Sequence, residues 1–147
     1  MNVQNTGKLS IITLLFALFV PFLTMAQKPG YKSYVTTAYI NDGVRSGGSS
    51  QVTWVKFDGN LILMDHGFYE ARYKYSYTQD NGTQVYYRQA WNYGTMQQGS
   101  GWVENRNNWL LVSQDEKHIN ECSVFGNSKN VTVLELQTAS SAGDMIY

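Results

Sequence analysis

Residues 69–78 alternate without a break. Tyr69, Ala71, Tyr73, Tyr75 and Tyr77 take the odd positions, and Glu70, Arg72, Lys74, Ser76 and Thr78 the even ones. A period of two sends one set to one face of a β-strand and the other set into water. Beyond Asp80-Asn81-Gly82, Val85, Tyr87, Trp91 and Tyr93 again hold odd positions, so residues 69–93 predict a hairpin with one aromatic face. A two-residue Asn-Gly loop would set Tyr75 opposite Arg88 and Tyr73 opposite Ala90. A three-residue loop sets Tyr77 opposite Val85, Tyr75 opposite Tyr87 and Ala71 opposite Trp91. A slip of one residue turns every side chain to the other face, so burial selects the three-residue loop. Its turn is expected to be type I followed by Gly82 in the left-handed region.

The same pattern predicts a second hairpin over residues 52–65, turning at Asp58-Gly59 or Asp58-Gly59-Asn60. Further strands are expected at 34–40, 109–113, 118–125 and 131–138. No stretch after residue 30 holds a helical period of apolar residues. Ser113-Gln114-Asp115-Glu116 fits a helix capping box, but so few residues precede the next turn signal, Gly126-Asn127, that it reads as a turn. The expectation is one all-β domain over residues 27–147, an antiparallel sandwich or small barrel of about eight short strands.

Residues 1–26 break the pattern. Lys8 precedes an apolar run from Leu9 to Leu23, interrupted by small hydroxyls and Pro21, and Thr24-Met25-Ala26 places small residues before Gln27. These are the three parts of a cleavable signal peptide. A membrane anchor would need about 20 apolar residues to cross a core of about 30 Å, and this run is shorter. Gln27 stands where a lipoprotein needs cysteine, and no Arg-Arg pair precedes the run. The domain is therefore expected to be exported, to the periplasm, cell surface or medium, with no membrane insertion after cleavage.

Composition narrows the partners. The 147-residue chain balances 11 basic and 11 acidic residues, and losing Lys8 with the leader leaves it near neutral. Without a Lys/Arg cluster, nucleic acid is not an expected partner, because phosphates require a basic stripe. Cys122 is the single cysteine, so no internal disulfide can form. It is expected to be a buried, quiet thiol, the alternative being an intermolecular bridge. Asn81-Gly82-Thr83 and Asn130-Val131-Thr132 match the glycosylation sequon, which matters only in a eukaryotic source.

Candidate chemistry is sparse. His66 and His118 with one cysteine make too thin a set for a zinc or catalytic centre, and they read as ordinary polar residues at strand ends. No cofactor motif and no nucleophile elbow occurs. Asp65, Glu70, Glu104 and Glu121 could supply a pair of carboxylates for glycoside hydrolysis, but sequence spacing does not fix their distance in space. Trp54, Trp91 and Trp109 fall in strand-like runs and are assigned to packing.

Trp102 is different. It falls within residues 94–108, which read as a long polar connection, and such connections often carry function. A rigid amphipathic aromatic among Asn105, Arg106 and neighbouring amides resembles a recognition surface. The competing reading makes Trp102-Val103 a short strand that tucks the loop onto the core. Residues 41–51 form another flexible connection, without aromatics. The expected function is a non-enzymatic binding module with a glycan or surface-protein partner, anchored by Trp102, Asn105 and Arg106. The alternative is a small extracellular hydrolase acting on a polymer.

Overall fold

The computed structural model describes residues 27–138; the expected signal peptide and its cleavage point after Ala26 lie outside the described residues. Nine strands follow one another: β1 Lys32–Asn41, β2 Val44–Gly47, β3 Val52–Asp58, β4 Leu61–Asp65, β5 Glu70–Thr78, β6 Gln84–Asn92, β7 Gly101–Val112, β8 His118–Phe125 and β9 Ser128–Leu136. Every pairing is antiparallel. Neighbours in the chain are neighbours in the sheet from β3 through β9, and β9 returns to pair with β1. Eight strands thus close into a meandering barrel, which settles the choice between sandwich and barrel. Closure removes the open edges of a sheet. The short β2 is the extra strand; it pairs only with the second half of β1, while β3 takes the first half.

An apolar cluster forms the core of the barrel interior. Tyr34, Val55, Ile62, Met64, Tyr73, Leu110, Val112, Ile119 and Leu134 are all buried in one cluster. They come from seven strands and occupy alternate positions, as a pleated wall requires. Cys122 is buried as well, as a free thiol, and burial pushes it up to about 11.

The turns are where local chemistry is clearest. Gln79 N–H donates to Thr83 O across a three-residue loop, and Gly82 sits at φ +84°, as expected for the β5–β6 hairpin. Tyr77 accordingly faces Val85. Beyond it a bulge at Ser76 shifts the register, and Tyr75 faces Tyr86, not Tyr87. The expected Ala71–Trp91 pair is lost with it. Bulges of this kind sharpen the local twist that a closing sheet needs, and this one sends Tyr77 and Tyr75 to opposite faces. Asp58 pairs with Leu61, so the β3–β4 turn is Gly59-Asn60, with Gly59 at φ +60°. That is the glycine-first form favoured in two-residue hairpins, and it corrects the expected loops that began at Asp58.

Two expected connections are strands. Residues 41–51 contain β2, and Gly48, just past its end, packs so tightly that an added Cβ would lie 2.1 Å from Thr36 O. Most of the expected 94–108 loop belongs to β7; only 93–100 connects, and residues 106–108 bulge out of the β6–β7 ladder. Residues 113–117 form a turn, as read, and His118 opens β8.

Candidate functional site on the outer face of the barrel

Alternation along β5, β6 and β7 builds the site. Ala71 and Tyr73 point inward, so Glu70, Arg72 and Lys74 point out. Arg72 faces Leu63 on one side and Gln89 on the other, and Gln89 faces Glu104. Trp91 faces Trp102 one step further along β6 and β7. These outward side chains line a groove of about 470 Å³, with Tyr31, Asp65 and Glu70 at its other wall.

The aromatic wall is open to solvent. Trp91 and Trp102 are 43% and 48% exposed, and their rings meet edge to face at 5.2 Å. Edge-to-face contact suits the quadrupoles of the two rings. The Arg72 guanidinium lies 4.4 Å from the Trp102 ring centre. It makes no ion pair among the described residues, and its buried Nε has no hydrogen-bond partner. Stacking on the indole therefore fixes the cation without neutralising it.

The opposite wall is electrostatically closed. Lys28 Nζ binds Asp65 and stands 3.7 Å from Glu70. The Lys28 hydrogen bond, aided by the Gly67 N–H, holds the Asp65 carboxyl below the usual carboxylate range. Two of the four candidate acids thus share the groove. Of the others, Glu104 pairs with Arg106, and Glu121 lies inside the barrel.

The three sequence-predicted binding residues all fall on β7 and separate there. Trp102 enters the groove. Asn105 faces Arg88 on the inward side of β6, and its Oδ1 accepts from Asn107 N–H within the bulge. Arg106 folds back over Tyr87, 5.1 Å from the ring centre, and binds Glu104 at 2.6 Å. Sequence reasoning missed Trp91, Arg72 and Gln89. Their signal was present as outward positions of an alternating strand, but without the register they could not be joined to Trp102.

A second polar cluster sits inside the barrel. His66 Nε2 lies 3.4 Å from Glu121 Oε1, and Tyr73 Oη donates to the same oxygen at 2.8 Å. His66 Nδ1 meets Thr53 Oγ1 at 3.3 Å, and Tyr69 stacks on the imidazole at 4.4 Å. His66 stands at the end of β4, as expected, and is buried there. Burial and the Glu121 charge push the Tyr73 hydroxyl far above the usual phenol range, so it stays a donor. Among the described residues, no group of three His, Cys, Asp or Glu side chains is placed to hold a metal ion.

No protein-family model, curated protein or solved structure matches the chain.

Proposed function

We propose that this protein is an exported, non-enzymatic binding module that takes a glycan in the Trp91–Trp102 groove. One observation carries the reading: a solvent-exposed tryptophan pair stands beside an unneutralised arginine in a concave site. Sugar rings present apolar C–H faces that stack on aromatic rings, while their hydroxyls need a few placed polar groups. Arg72, Gln89 and the acids across the groove provide them. A glycan screen on the purified protein, with protein partners as a second arm, tests it. Trp102→Ala is expected to weaken binding by about 2 kcal/mol or more with little change in melting temperature, because the ring is half exposed. A large fall in melting temperature with unchanged binding would assign Trp102 to packing and overturn the reading.

The hydrolase alternative draws on Asp65 and Glu70 sharing the groove. A general acid needs a raised pKa so that it still holds its proton, whereas Lys28 drives Asp65 the other way. Asp65 thus fits the ionised member of such a pair and not its acid. Polymer turnover that disappears in Asp65→Asn would reverse the ranking.

Export follows from residues 1–26. Mass spectrometry of protein recovered from the cell envelope or medium is expected to find a chain that starts at Gln27. An intact amino terminus on membrane-bound protein would refute cleavage.

A further inference from the structure

The outer face does not end at the tryptophan groove. A second groove of about 350 Å³ is lined by Tyr77, Gln79, Tyr87, Arg106, Trp109 and Leu111. The pairings place it on the same face of the same strands. Lys74 faces Tyr87, Tyr87 faces Trp109, and Val85 links Tyr77 to Leu111. Trp91 and Tyr87 are four residues apart on β6, which at about 3.3 Å per residue separates the two aromatic centres by roughly 13 Å.

The charges between the grooves are unbalanced. Arg106 is matched by Glu104, but Arg72 and Lys74, successive outward positions of β5, have no carboxylate partner among the described residues. Asp65 and Glu70, at the far end, close on Lys28. What sets Arg72 and Lys74 apart is their place: Arg72 lines the tryptophan groove, and Lys74 faces Tyr87 of the second one.

We infer that the ligand is a linear carboxylated polysaccharide, seated by one ring on Trp91–Trp102, by its carboxylates on Arg72 and Lys74, and by a further ring on Tyr87. The inference rests on the groove reading above and names its ligand class. A polymer with a carboxylate on its repeating unit matches both the cations and the stacking faces, and Gln79 and Gln89 offer amides to its hydroxyls. A single-stranded nucleic acid would also stack, but its phosphate at every residue calls for a denser basic track than two free cations supply.

The test uses protein purified after expression of the full chain, with melting temperature as a folding control for each variant. Calorimetry would compare oligouronates of several linkages, from disaccharide to hexasaccharide, with the same oligomers methyl-esterified and with an oligothymidylate. Joining two subsites through one chain is expected to make the hexauronate bind at least ~10-fold tighter than the disaccharide. Esterification removes most of that affinity. Tyr87→Ala brings the hexauronate back to the disaccharide value, and Lys74→Gln weakens the acid but not the ester. Equal binding of acid and ester overturns the carboxylate while leaving the groove reading intact. Affinity independent of length, or an inert Tyr87→Ala, overturns the second subsite. Tighter binding of the oligothymidylate replaces glycan by nucleic acid, and no binding by any oligosaccharide overturns the groove reading itself.

Discussion

Glu121→Ala is expected to lower folding stability by about 1–3 kcal/mol, a sizeable part of the 5–15 kcal/mol typical of a domain. Glu121 pairs with Leu110 across the β7–β8 ladder and so points into the barrel. Its Oε1 receives the Tyr73 hydroxyl and faces the His66 imidazole. Removing the carboxylate leaves the Tyr73 hydroxyl without its acceptor, and the buried His66 Nε2 without its nearest polar neighbour, in a space that water does not readily reach. The penalty comes from the orphaned groups, not from the worth of the pair, which would fall close to zero if all members were replaced by apolar residues.

Acid should act on the same contact. Burial alone would raise the Glu121 carboxyl, but His66, the Tyr73 hydroxyl and the Arg88 guanidinium together hold it below the usual range. A carboxylate with a lowered folded-state pKa stabilises fully above its unfolded value of about 4.3, and that stabilisation is lost as pH falls through the lower folded-state value. Chemical denaturation of wild type and Glu121→Gln should therefore show a stability gap at pH 7 that narrows below about pH 4. A gap that stays constant down to pH 2, or a Glu121→Ala variant as stable as wild type, would remove the cluster from the stability of the fold.

How far the sequence carried depends on the range of the interaction that decides each feature. The β5–β6 turn is local: Asp80, Asn81 and Gly82 contain it, and their chemistry sets Tyr77 against Val85. The bulge at Ser76 is not local. Nothing in Tyr75-Ser76-Tyr77 interrupts the alternation, and the extra residue belongs to the bending of a sheet that must meet itself at β1 and β9. Polarity misled at residues 101–108 for a related reason. A strand whose outward face binds water or a ligand need not be apolar there, so Glu104, Arg106 and Asn107 looked like a loop. The candidate site was legible to the same degree. Trp102 stood out by contrast with its neighbours, whereas Trp91 and Arg72 became visible only once pairing placed them beside it. The burial of His66 was not legible because it depends on Tyr69 and Glu121, which lie elsewhere in the chain.

Leu110→Ala is expected to cost about 2–5 kcal/mol, and Leu111→Ala clearly less. The two leucines are adjacent in β7, identical in chemistry and equal in propensity, so only the face each occupies can separate them. Leu110 is fully buried in the interior cluster. It faces Tyr86 on β6 and Glu121 on β8, and truncating it opens a cavity in a wall of strands held by hydrogen bonds on both sides. Such a wall collapses poorly onto a void, which places the cost toward the upper part of the range. Leu111 points outward into the Tyr87–Trp109 groove and is partly exposed, so its loss removes less buried area and leaves a hollow that solvent can fill. Denaturant melts of the two variants read the register of β7 directly. A Leu111→Ala loss equal to or larger than that of Leu110→Ala would mean that β7 is turned over. Leu111 would then face the interior, and the Tyr87–Trp109 groove would cease to exist.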